Sequence, residues 1–229
     1  MIFQYIYGIL LSVEKIDIVY EDDICLVINK ASGLAVQGGQ GIGTSLDSIL
    51  SVSRSPRPLL VHRLDRDTSG LILVAKNKQA AADFSVLFGN NSGKNRIIKR
   101  YIAICKGQPA EKKGSIFLDI DIRGSKKKSE TIYRVLSVSH ESEYSMLELE
   151  LKTGRMHQIR RHLSKTGTPV LGDDKYGDFA LNRKLKKTIN LRHLLLHASY
   201  LFIPKMPNGK SLEINAPFPE YFNIMEIKK

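Results

Sequence analysis

The nine-residue run from His62 to Gly70, HRLDRDTSG, sets the carboxylate of Asp65 among basic side chains and just ahead of a turn. Val61 and the leucines before it read as the end of a strand, Thr68-Ser69-Gly70 as a turn, and Leu71 to Ala75 as a buried strand. Asp65 is therefore predicted on a short loop held from both sides, the kind of place where catalytic groups concentrate. A turn-forming aspartate accounts for the run equally well when it is taken alone.

A second run, LKTGRMHQIRRHL from Leu151 to Leu163, is dense in arginine and histidine. Counted at roughly 100° per residue from Met156, Ile159 and Leu163 share its apolar face, and Arg160 lies about 40° away at the edge of the buried stripe. An arginine there keeps its guanidinium inside only with an anionic partner. Gln158 and Arg161 are predicted to point away, towards solvent or a ligand. By itself this is a basic amphipathic helix with a solvated face.

The two runs, with KRYIAICKG (Lys99 to Gly107) between them, closely resemble the motifs of the RluA-type pseudouridine synthases, most nearly the RluC-like group. The likeness continues through YEDDICLVINKASGLAVQGGQG, GDDKYGD (Gly172 to Asp178) and LLLHASYL (Leu194 to Leu201), covering about Ile18 to Phe218. It implies an RNA isomerase that needs no cofactor or metal, on a long, bent, mainly antiparallel sheet with helices and loops around a central cleft. It also implies Asp65 as catalytic nucleophile, Arg160 as the cation orienting it, and Tyr101 as the ring that stacks on uracil. Arg63 corresponds to the side chain that fills the space left by a flipped-out base. His62, Lys99, Arg155, His157, Gln158 and His162 are further candidate RNA contacts. The GLAVQGGQG and GDDKYGD segments are RluC-like, which implies large-subunit ribosomal RNA as substrate, with transfer RNA as the alternative. Ala31 stands where relatives usually carry proline in NKPSG, a change expected to loosen that turn slightly.

The chemistry explains the residue types. Moving a uracil from nitrogen to carbon attachment breaks and remakes one glycosidic bond with no change of oxidation state. A nucleophile or anionic stabiliser must sit beside the anomeric carbon, as in glycosidases. A phenol with a pKa near about 10 is a weak base, so packing ranks above proton transfer for Tyr101.

With 229 residues, 42% of them hydrophobic, the chain can bury one substantial core, and a single catalytic domain over residues 1–229 is expected. A formal charge of +12 favours a polyanionic partner. Cys25 and Cys105 lie in strand-like stretches without metal-ligand spacing, which suggests a reduced, cytoplasmic protein. The apolar opening, residues 1–15, is too short to span a bilayer and is expected to dock on the domain. The relatives it most resembles carry a small RNA-binding domain before the catalytic one; if that module is absent, substrate selection is expected to fall to the catalytic domain, its insertions or a partner. A monomer is the default.

The class is α+β. Ile16 to Tyr20 and Ile24 to Asn29 form a predicted hairpin, and Met146, Glu148 and Glu150 alternate with Leu147, Leu149 and Leu151 as a half-buried strand. Helices are predicted over Ser45 to Ser51, Lys78 to Leu87 and Met156 to Ser164. The lysine runs Lys126 to Lys128 and Arg183 to Lys187 read as solvated loops, with direct RNA contact the competing role. Two other functions compete. A metal site from His62, Asp65, Asp67, His157 and His162 lacks an HExxH pair and is crowded by arginines. An RNA-binding protein without turnover is disfavoured by the intact Asp65, Tyr101 and Arg160.

Overall fold

A computed structural model of the chain describes residues 16–89, 93, 96–122, 124–139 and 143–225; the docking expected of residues 1–15 falls outside them. Among the described residues there are four α-helices and ten β-strands, an α+β architecture with mainly antiparallel pairing. No described helix is long and apolar enough to cross a membrane. The described chain divides into two compact units, one holding residues up to Ile97 with Tyr200–Ala216 and the other holding Ile98–Ser199 with the residues after Ala216. Because neither unit is contiguous in sequence, no linker marks a boundary, and composition alone suggested one domain.

In the first unit, strands β1 (Asp17–Glu21) and β2 (Cys25–Lys30) form the predicted hairpin. Asp22 closes it by accepting the amides of Ile24 and Cys25 at 2.9 and 2.8 Å, as an aspartate at a turn start does. Helix α1 (Leu46–Ser53) starts from a Ser45 cap that exchanges hydrogen bonds with Ser48. Strand β3 (Leu59–Leu60) and β2 both pair with β4 (Ser69–Ala75), in the β2 ladder from Cys25 opposite Ala75 to Lys30 opposite Gly70. All seven β4 residues are buried, so its apolar run shows no alternation. Helix α2 (Lys78–Gly89) lays Ala80 and Phe84 on the Val27, Leu71 and Leu73 core.

The second unit is built on β5 (Ile98–Lys106), β6 (Lys113–Ile122), β7 (Ser125–Ser139) and β8 (Tyr144–Leu151). These pair antiparallel in the order β5, β8, β7, β6. Strand β8 buries Ser145, Leu147 and Leu149 and half-exposes the residues between them, as the alternation predicted. Helices α3 (Gln158–Lys165) and α4 (Phe179–Thr188) follow. The run from Lys126 to Lys128 therefore lies in strand β7 and that from Arg183 to Lys187 in helix α4, and neither is the loop expected. Their charge hid the periodicity that would have marked them. Strand β9 (Leu196–Ile203) begins in the second unit, and its Tyr200–Ile203 half pairs in the first with β10 (Leu212–Asn215).

Candidate active site

The Asp65 loop is fastened by backbone and lysine contacts rather than by its own turn alone. The Asp65 carbonyl accepts the Thr68 amide at 3.2 Å, so the turn spans Asp65 to Thr68 rather than the expected Thr68 to Gly70; Ser69 and Gly70 already belong to β4, and Thr68 and Ser69 are buried. On the other side, Gly33 donates its amide to the Arg66 carbonyl at 3.0 Å and the Ser32 hydroxyl donates to the Asp67 carbonyl at 2.8 Å. Lys30, at the end of β2, is 1% exposed and sends its ammonium to the carbonyls of Ala31, Leu34 and Arg66 at 2.8, 2.9 and 2.9 Å. One buried cation thus ties the 31–34 turn to the loop that carries Asp65. Burial pulls the Lys30 ammonium down to about 8, while the negative charges of Asp67 and Asp65 pull it the other way. Asp65 itself is half-buried and Arg63 is exposed.

His62 braces the same loop. Its Nε2 accepts the Leu73 amide at 2.9 Å, and its ring stacks on Phe88 at 4.1 Å. The imidazole is thus occupied with holding the loop against β4 and α2.

In the second unit, Arg160 lies on α3 with 4% of its side chain exposed, and the anion that its burial requires is Asp173. Its Nε and one terminal nitrogen donate to the two Asp173 oxygens at 2.8 and 2.7 Å, a bidentate fork, and the terminal nitrogen also reaches Asp174 at 3.2 Å. The guanidinium lies over the Tyr176 ring at 5.4 Å. Burial raises the Asp173 carboxyl, but Arg160 and the amides of Tyr176 and Lys175 outweigh that and hold it below the ordinary carboxylate range. His157, in left-handed backbone at φ 53° ahead of α3, places its Nδ1 3.1 Å from the Tyr176 hydroxyl.

Tyr101 is buried on β5, opposite Leu149 of β8. Two residues before it, burial lowers the pKa of the Lys99 ammonium. Arg155 is exposed, one turn ahead of α3.

A family model for RNA pseudouridylate synthase matches residues 24–165 of the chain. The chain belongs to that family. The ribosomal large subunit pseudouridine synthase C of Rickettsia bellii is 35% identical over 220 residues, covering 90% of this chain and 69% of that protein. Its counterpart of the same name in Vibrio parahaemolyticus is 34% identical over 211 residues, covering 87% of this chain and 65% of that protein. Among solved structures, human RNA pseudouridylate synthase domain containing 4 superposes with a TM-score of 0.78 at 26% identity, covering 97% of this chain and 95% of that one. Human RNA pseudouridylate synthase domain containing 1 does so with a TM-score of 0.74 at 31% identity, covering 91% and 85%. The protein is a pseudouridine synthase, an isomerase acting on RNA, on that family's α+β fold.

In this synthase three expectations around α3 need correction. The helix begins at Gln158, and Met156, expected on the apolar face, is 59% exposed. Gln158, expected to face solvent or RNA, is 3% exposed, and protein groups use its whole amide. Its oxygen accepts from the Thr153 hydroxyl and the Arg155 amide, and its nitrogen donates to the Glu130 carbonyl and the Thr131 hydroxyl. His162 is fully buried with Nε2 2.8 Å from the Ser129 hydroxyl, so it is a strut between α3 and β7 rather than an RNA contact. With Met156 outside the helix, the buried face still holds Ile159, Arg160 and Leu163 and is wide enough to take in Gln158 and His162.

Those occupied rings also bear on the competing metal site. The His62 and His162 Nε2 atoms are engaged by Leu73 and Ser129, and no group of three or more His, Cys, Asp or Glu among the described residues could hold a metal ion. Sequence reasoning missed Lys30 and Asp173. Both lie in quoted motifs, NKASG and GDDKYGD, and a lysine ending an apolar strand was the one available signal for the first.

Proposed function

We propose that this protein converts specific uridines of large-subunit ribosomal RNA to pseudouridine, with Asp65 as the anionic agent at the glycosidic bond. The observation that carries the substrate is the name shared by relatives such as those of Rickettsia and Vibrio, ribosomal large subunit pseudouridine synthase C. What supports Asp65 is its place in the HRLDRDTSG motif and a loop pinned by Lys30, since a reacting group must be held in place before substrate arrives.

The reaction breaks the bond from C1′ to N1, turns the base and joins C1′ to C5. The C5 proton is then lost and N1 gains one, so product and substrate have the same composition. Tyr101 serves as the platform for the uracil, and Arg160, its guanidinium held in place by Asp173, supplies positive charge to the chemistry. Arg63, exposed beside Asp65, enters the stack. Extruding the nucleotide costs a few kcal/mol, which that insertion and phosphate contacts offset.

The test is uridine conversion by the purified chain on protein-free large-subunit ribosomal RNA and, separately, on bulk transfer RNA. Conversion confined to ribosomal RNA, lost in Asp65→Ala and Asp65→Asn with RNA binding retained, is expected. Substantial turnover by either variant refutes the role of Asp65, and conversion of transfer RNA alone refutes the substrate.

A further inference from the structure

The two lysine-rich runs find themselves in opposite electrostatic settings. In the β6–β7 hairpin, Lys128 stands directly across from Asp119 and Lys126 from Asp121, so cross-strand carboxylates answer the positive charge. On α4, Arg183, Lys184, Lys186 and Lys187 are all exposed, while Leu185 between them is buried. Among the described residues none of these four cations has an ion-pair partner, and the chain holds no acidic residue from Phe179 to Leu212. The carboxylate at the head of the helix, Asp178, is spent on the Leu181 amide and on Lys106 at 2.7 Å.

At roughly 100° per residue, Arg183, Lys184 and Lys187 fall within about 100° of arc, and Lys186 lies about 60° beyond Arg183. Arg183 is thus three and four residues from Lys186 and Lys187, where like charges destabilise a helix. Cations in the last turn do suit the helix dipole, which accounts for Lys186 and Lys187 but not for Arg183 and Lys184. A surface that concentrates repulsion in the free protein gains most when a polyanion lies across it.

We propose that the exposed face of α4 is a second RNA-binding surface, whose four cations take backbone phosphates of the substrate RNA outside the residues assigned to the chemistry. This deepens the proposed function and rests on RNA being the substrate. Phosphate contacts of this kind add affinity and position the RNA without reading its sequence.

The experiment compares two charge-matched variants of the full chain, Arg183→Gln/Lys184→Gln/Lys187→Gln and Lys126→Gln/Lys127→Gln/Lys128→Gln. Binding to protein-free large-subunit ribosomal RNA is measured across a salt series. The α4 variant should bind about 10-fold more weakly at low salt, and the slope of log affinity against log salt should become shallower by about 2 to 3. The hairpin variant should change the slope by less than half as much. Arg183→Gln alone should lower the slope by about 1, which guards against a folding defect in the triple variant. An unchanged slope in the α4 variants, or equal changes in both triple variants, overturns the proposal. A wild-type protein that binds RNA but makes no pseudouridine would refute the synthase reading instead, because the binding comparison needs no turnover.

Discussion

Lys30 shows how a single residue can carry a loop. Its ammonium is the shared donor for the carbonyls of Ala31, Leu34 and Arg66, and replacing it with methionine keeps most of the stem while stranding three acceptors. Each buried acceptor left alone costs about 1–3 kcal/mol, offset in part because the charge no longer has to be desolvated. Lys30→Met is expected to lose about 2–4 kcal/mol in urea unfolding, and its kcat should fall more than its KM changes, because the Asp65 loop loosens. Unaltered stability and kinetics would mean that the turn and the Ser32 and Gly33 bonds hold the loop unaided. Ala31 makes that burden heavier than a proline in its place would, since the turn lacks the stiffness a pyrrolidine ring supplies.

At the scale of elements, legibility followed periodicity. Strand β8, with its strict alternation, and β4, with its unbroken apolar run, were both readable, as was α2 to within two residues. The β6–β7 hairpin and α4 were not, because their charged runs lie exposed and too few buried apolar positions mark a period: α4 buries only Leu185, and β7 opens with four exposed residues. The segment after α3 was opaque for another reason. In the pair Asp173-Asp174 one carboxylate is 1% exposed and its neighbour 73%, a difference set by the packing of Arg160 and not by the letters. Gly172 ahead of them adopts φ 75°, and a Cβ there would run into the His193 carbonyl, so the motif's glycine is needed to bring Asp173 under the helix. Asp173→Asn keeps the shape but leaves Arg160 short of a buried counter-charge, at a cost of about 3 kcal/mol. In a chain of this size that is a fall of about 6–12 °C in Tm, measurable by calorimetry. A loss under about 2 °C would mean that Asp174 takes over the pairing.

For the whole molecule, the buried imidazoles set how the fold answers acid. Burial and the positive charge of Arg161 bring His162 down to about 4, and burial brings His197 to about 4 where it packs beside Phe218 and Phe222. An unfolded chain takes up these protons near the ordinary value of about 6.5, whereas the folded one resists until about pH 4. The unfolded state therefore binds more protons across that window, and stability is complete above about 6.5 and drains as the pH falls towards 4, by up to about 3 kcal/mol for each imidazole. Below about 4 the lowered carboxylates of Asp173 and Asp178 add losses of the same sign as they protonate. Urea midpoints taken between neutral pH and pH 4 should decline steadily through this range. His162→Gln, which has no proton to gain, should flatten the decline by about 1.4 kcal/mol per pH unit at its steepest. A wild-type curve level down to about pH 4 would mean that both imidazoles enter the folded state already charged, against the apolar surroundings that hold them.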